Sequence, residues 1–241
     1  ILNNDADIDY IFPLDADEFI YCPSREKLNT FLTLIPQDRV GMYTWRGYLP
    51  HSTEYDPDFI SHFTDQRKEE ILTPKVIIPR AIAETCTLTI GSHSVLDKEG
   101  KEIKSIVFIG SNSQPFYYWF INQFIETDDL WLGHYPIRST IQQIKKVLEK
   151  SITMVMEKKG YRDSAWENQL RDLLAHNLDI SLDELRLIAY NYRASDEKKI
   201  QIARQQPLHS TKLALKYQDL INNDPLPILG KLILDLAQKL R

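Results

Sequence analysis

The sequence predicts a mixed α/β chain with a helical region on its carboxyl side. Three observations carry that expectation. Short runs rich in β-branched and aromatic residues recur through residues 9–110, divided by turn-forming stretches. From Ser139 onward the apolar residues change to helical spacing behind capping-box signatures. The run Tyr10-Ile11-Phe12-Pro13-Leu14 ends on three acids, Asp15, Asp17 and Glu18, which places charged chemistry at the end of a strand. The chain is thus expected to divide into an α/β core, residues 1–138, and helices over 139–241.

Residues 9–14 read as the first strand, and Pro13, which lacks a ladder hydrogen bond, points to an edge or a bulge there. Residues 24–35 follow as a helix, with Ser24 as N-cap and an apolar stripe of Leu28, Phe31, Leu32 and Ile35. "VGMYTWRGYL" (40–49), "KVIIP" (75–79) and "KSIVFIG" (104–110) read as strands. Residues 50–73 show no periodicity and are expected as a long loop, a length usually tied to function or mobility. A long helix is expected over 139–160, opened by Ser139 and Gln142, striped by Ile141, Ile144, Leu148, Ile152 and Val155, and closed by Gly160. Ser164/Glu167 and Ser181/Glu184 head further helices, and residues 210–221 and 226–240 complete the set. No fixed-period repeat supports a solenoid.

Composition narrows the class. The chain has 241 residues, 43% hydrophobic and 26% charged, ordinary proportions for a soluble globular protein. A formal charge of −5 leaves no broad basic surface, so nucleic acid is not an expected partner. No apolar run approaches the roughly 20 residues of a membrane span, and no transmembrane segment is expected. The N-terminus shows no basic segment followed by an apolar one, so no signal peptide is expected. It begins at Ile1 without a Met, so a fragment or a processed chain is expected. Six histidines and a mildly acidic balance fit a cytoplasmic protein. Cys22 and Cys86 form no metal-ligand spacing and read as reduced, partly buried thiols.

Three groups of residues carry chemistry. Asp15-Ala16-Asp17 offers two carboxylates one residue apart at a strand end, where a hard divalent cation could bind and keep positions for substrate phosphates. The alternative is an acidic strand-end turn or a helix N-cap. In "LWLGHYPIRST" (130–140), Arg138 and Ser139 stand at a helix start, which favours an anion, and His134 could give a nitrogen to the same metal. A histidine packed beside an N-cap is the plainer alternative. Lys75, Arg80 and His93 bracket apolar strands. Each alone reads as a solvated side chain, but with His134 and Arg138 they would balance a phosphorylated ligand.

In order, "FPLDADEFI", "YTWRGYL", "HFT", "KVIIPRA", "GSH" and "GHYPIRSTIQQIKKV" resemble the glycosyltransferase family 2-like proteins, a branch similar to family 92. The resemblance covers about residues 8–150, and D-x-D-E-F and H-Y-x-x-R-S are its specific parts. It implies part of a GT-A fold, with 1–138 as the carboxyl-terminal portion of the catalytic domain and the nucleobase-holding strands upstream of Ile1. It further implies metal-dependent, inverting transfer of a sugar from a nucleotide-diphosphate donor, a UDP-sugar, to an acceptor hydroxyl. The acceptor would be a glycan or lipid-linked, in cell-envelope or exopolysaccharide synthesis, with the protein cytoplasmic or peripheral at the inner membrane face. Asp15 would lie near the donor's ribose or the metal, Mn²⁺ or Mg²⁺. Asp17 would be the principal ligand and His134 a third. Lys75 and Arg138 would neutralise the leaving diphosphate. Glu54, Asp56, Asp58 and His93 are the candidates for the catalytic base. Two alternatives stay open: a HAD-like phosphotransferase using Asp15, with Lys75 and Asp128-Asp129 as later motifs, and a non-catalytic interaction module.

Overall fold

The structure is a computed structural model that describes residues 8–67, 71–89, 91–110, 119–156, 173, 179–192 and 202–204. In chain order the elements begin with β1 (Tyr10–Ile11), β2 (Glu18–Tyr21), α1 (Arg25–Thr33), β3 (Val40–Gly47), α2 (Phe59–His62), β4 (Asp65–Arg67), β5 (Ile71–Pro79) and α3 (Arg80–Ala83). They continue with β6 (Thr87–Leu88), β7 (Val95–Leu96), β8 (Ser105–Ile109), β9 (Ile121–Glu126), β10 (Trp131–His134), α4 (Thr140–Met156), α5 (Leu182–Tyr190) and β11 (Ile202–Arg204). The α/β class is present, with a sheet of mixed direction. Two compact units form: Ile1–Gly47 with Arg67–Tyr135, and Tyr48–Gln66 with Pro136–Arg241.

The first unit is built on a sheet whose central strand is β3, buried along its length. β5 pairs with it antiparallel on one side. Its other edge is shared between two parallel partners, β8 along Val40–Tyr43 and β10 along Trp45–Gly47. β2 then pairs antiparallel with β10. Alternation along β3 sorts the two faces. Val40 and Met42 join Val76, Ile78, Val107 and Ile109 in one apolar core. On the opposite face Phe31 of α1 packs edge-on to Phe108 at 5.7 Å. Gly41 permits that approach: a Cβ there would run into Ile35 Cδ1 and lie 3.2 Å from Ile77 Cβ. Ser24 caps α1 by accepting from the Lys27 N–H at 3.1 Å.

Several expectations change in detail. The strand expected over 9–14 is only Tyr10–Ile11, at the sheet edge against Pro79 and Ile78, and it stops before Pro13. β2, β9 and β10 go beyond the sequence reading. The segment expected as one long loop, 50–73, contains α2, β4 and the first residues of β5.

In the second unit, Leu49, Ile137, Val147, Leu185 and Tyr190 share a core. Ser139 Oγ accepts from the Gln142 N–H at 3.2 Å, and Gln142 Oε1 accepts from the Arg138 N–H, a variant of the expected box at the start of α4. Ile144 and Leu148 are buried as the stripe requires, whereas Ile141, in the first turn, is exposed. Ser181 and Glu184 form the complete capping box ahead of α5. Arg186 of α5 donates to Asp65 Oδ2 at 2.6 Å and to Pro50 O at 3.0 Å, and the Thr140 N–H donates to Thr53 O at 2.9 Å. The 48–66 segment is thereby tied to both helices. The side chains of Ile152 and Val155, Gly160, the Ser164/Glu167 box and the helices expected over 210–221 and 226–240 lie outside the described residues.

Candidate functional site

The acids after β1 form a tight turn. The Glu18 N–H donates to Asp15 O at 3.1 Å, and Glu18 Oε2 accepts from the Asp15 N–H at 2.9 Å. The chain re-enters the sheet at Glu18 as β2, opposite β10. Register then decides which residues meet: Glu18 stands opposite His134 and Phe19 opposite Gly133. One step outward the Tyr135 N–H donates to Asp17 O at 2.9 Å, and Asp17 Oδ2 comes within 3.8 Å of His134 Nε2. Two motifs more than a hundred residues apart are joined by strand pairing.

Beneath the turn is a buried charge group. Lys75 pairs in register with Tyr43, and its side chain is 0% exposed. Its Nζ donates to Asp15 Oδ2 at 2.8 Å and lies 3.2 Å from Glu18 Oε2. Glu18 is equally buried, whereas Asp15 is 61% exposed. Burial pushes the Glu18 carboxyl above the ordinary glutamate range, although the Asp15 N–H and Lys75 pull it down. Burial, and then the Glu18 charge, push the Tyr43 phenol up. Among the described residues Glu18 Oε1 and Tyr43 Oη have no hydrogen-bond partner. Buried polar atoms in that condition are costly and mark a place where a ligand group or water would be held.

Trp45 organises the imidazoles. His134 stacks on it with ring centroids 4.2 Å apart, and His93 meets it edge-on at 5.6 Å. His93 Nδ1 lies 3.0 Å from Pro74 O; a carbonyl only accepts, so Nδ1 carries the proton and Nε2 the lone pair of the neutral ring. Gly91, at φ +79°, lets the His93 ring pack close against the backbone: a Cβ there would stand 2.6 Å from His93 Nε2.

The other residues read as candidates make different contacts. Asp128 pairs with Arg46 at 3.0 Å and Asp129 with Lys27 at 2.8 Å. The Arg80 guanidinium reaches Ile8 O at 3.5 Å. Glu54, Asp56, Asp58 and Arg138 belong to the second unit. There the Arg138 guanidinium lies 5.1 Å over the Phe59 ring, and the Glu54 N–H donates to Ser52 Oγ at 3.0 Å. Asp56 Oδ2 lies 2.7 Å from His62 Nδ1 and 3.4 Å from His51 Nε2. The hydrogen bond to Asp56, then its charge, raise the His62 pKa. Cys22 and Cys86 are free thiols whose pKa burial raises.

No protein-family model, curated protein or solved structure matches this chain. The site's chemistry therefore rests on its own geometry. Asp17 and His134 offer one carboxylate oxygen and one imidazole nitrogen over a 3.8 Å span, which a cation with ligand distances of about 2.1 Å can bridge. A divalent metal held by that pair would need further ligands from outside it, since Asp15 already gives one oxygen to Lys75. Sequence reasoning missed the structural part of Glu18, Tyr43 and Trp45. Tyr43 and Trp45 lay inside a run read as a strand and as part of the resemblance, and Glu18 in D-x-D-E-F, but none of the three was given a role of its own.

Proposed function

We propose that the chain carries the metal-binding part of a glycosyltransferase that moves a sugar from a nucleotide-diphosphate donor, a UDP-sugar, to an acceptor hydroxyl. The observation that carries the reading is the β2–β10 register, which brings Asp17 Oδ2 to 3.8 Å from His134 Nε2 at the carboxyl ends of the parallel strands β3 and β10. Ligands of open α/β sheets bind at such strand ends. The resemblance of D-x-D-E-F and H-Y-x-x-R-S to family 2-like transferases supports the same residues. Asp17 and His134 would hold a divalent ion, Mn²⁺ rather than Mg²⁺ because one of the two ligands is an imidazole nitrogen, and the ion would supply Lewis-acid stabilisation to the leaving diphosphate.

The chain's own groups do the rest. Trp45 fixes the His134 ring by stacking. Lys75, held by Asp15 and Glu18, sets the shape of the turn that presents Asp17. His93 is the base in this reading, because its Nδ1–H is committed to Pro74 O and its Nε2 lone pair can take the acceptor's proton. A glycan or lipid-linked acceptor fits the class. A lipid-linked one would bring the protein to the inner membrane face, and among the described residues no helix is long and apolar enough to cross a membrane.

The test is made on the full-length protein, because the resemblance implies that residues 1–241 need not be active alone. It is UDP binding with and without Mn²⁺, followed by thermal shift, together with turnover of UDP-sugars. Mn²⁺ is expected to raise the melting temperature further when UDP is present. Asp17→Asn and His134→Gln should each weaken the Mn²⁺-dependent binding by at least about tenfold. Undiminished binding in Asp17→Asn overturns the reading. The 2.8 Å contact between Lys75 and Asp15 favours a second reading, phosphoryl transfer through Asp15. Beryllium fluoride captured on Asp15 would support it, and Asp15→Asn should then abolish the capture.

A further inference from the structure

We propose that His51, Asp56 and His62 form a second cation site, one for a late first-row divalent ion and for Zn²⁺ in particular. It is independent of the glycosyl-transfer reading and lies wholly in the 48–66 segment. The three side chains each offer a ligand atom, and these atoms all lie within 4.8 Å of one another; among the described residues no other group of three His, Cys, Asp or Glu side chains does so. His62 Nδ1 and His51 Nε2 approach the same oxygen, Asp56 Oδ2, at 2.7 and 3.4 Å.

That convergence is the decisive feature. A carboxylate oxygen can accept from two imidazole N–H groups, but two protonated imidazoles on a single oxygen would repel each other. Two neutral imidazoles and a carboxylate around a cation have no such conflict. Nitrogen donors suit Zn²⁺, Ni²⁺ and Cu²⁺ and select against Mg²⁺ and Ca²⁺, which prefer oxygen alone. Three protein ligands leave a fourth position for water or an anionic group.

The ligands are also held in place. The Asp56 side chain is only 14% exposed, and its second oxygen, Oδ1, accepts from the Asp58 N–H at 2.9 Å. His51 packs edge-on against the buried Phe63 ring at 5.2 Å and against the His62 ring at 5.7 Å. The segment is tied down by the Arg186 bonds to Pro50 O and Asp65, and by the Leu49 N–H to Asp65 O at 2.9 Å. Asp56, one of four candidates for the catalytic base in the sequence, is thereby assigned as a ligand.

The test is Zn²⁺ titration of the chelator-stripped full chain by calorimetry, repeated with Co²⁺ and read by its visible absorption. Saturable Zn²⁺ binding is expected, with Asp56→Asn at least about tenfold weaker. The His51→Gln/His62→Gln double variant should lose that site and its Co²⁺ band. Both histidines are exposed, so far-UV circular dichroism should show the double variant folded. The proposal is overturned by Zn²⁺ affinity and a Co²⁺ band unaltered in the double variant. It is equally overturned by a Zn²⁺ site lost in Asp17→Asn but kept in the double variant.

Discussion

Lys75 and Glu18 are both fully buried, and the proton on Glu18 links the turn to pH. Burial raises its pKa above the ordinary 4.5 and outweighs the Asp15 N–H and the lysine, which lower it. The folded chain thus keeps this proton over a range where the unfolded chain has lost it. Stability must therefore fall as pH rises from 4.5 through the raised value, because the unfolded state binds fewer protons there. Glu18→Gln cannot ionise and removes that slope. The melting temperature of the wild type minus that of the variant should shrink as pH rises through this window. Curves that run parallel would show that Glu18 titrates alike in both states. Asp15, Asp17 and His134 stood out in the sequence as candidates by residue type alone, and the fold brings Asp17 to His134 and Asp15 to Lys75. The burial of Lys75 was not legible, since it depends on carboxylates about sixty positions earlier that only the folded sheet brings near.

The turn that follows helix α1 meets strand β3 through a missing side chain. A methyl at Gly41 would meet Ile35 Cδ1 and press on Ile77 Cβ, and both isoleucines are buried. Gly41→Ala should cost about 1–3 kcal/mol, the usual penalty for overpacking a filled core. Ile35→Val removes the Cδ1 atom and alone costs about 0.5–1.5 kcal/mol. In the double variant the two costs should fall short of their sum by at least about 0.5 kcal/mol in urea unfolding. Strict additivity would place the strain elsewhere. The helix itself was readable from Ser24 and its stripe, as were β3 and β8 from their β-branched and aromatic runs. β2 and β10 were not, because each is four residues long and apolar runs so short have no period to read. The pairing that creates the site was hidden for that reason, although both of its motifs were visible.

Each unit is assembled from two separate stretches, and the chain passes between the units at Gly47/Tyr48, Gln66/Arg67 and Tyr135/Pro136. The sequence put the change of character near Ser139, where the capping boxes begin. It gave no sign that residues 48–66 belong with the helices, because that membership rests on scattered anchors rather than on a pattern. Leu49 enters the core of α4 and α5, Thr53 O takes the Thr140 N–H, and Pro50 and Asp65 hold Arg186. A fragment of 136–241 alone would lose a buried leucine, typically worth about 2–5 kcal/mol when truncated to alanine. It would also leave Arg186 without two oxygens that bind it and the first turn of α4 without one backbone acceptor. That loss is comparable to the net stability of many small domains, about 5–15 kcal/mol. The fragment is therefore expected to melt without a cooperative transition by circular dichroism. Joining 48–66 to its amino end through a Gly/Ser linker should restore the transition, and Arg186→Ala should weaken it again. A sharp melt from 136–241 alone would mean that the helices hold a core of their own, with the earlier segment merely resting on it.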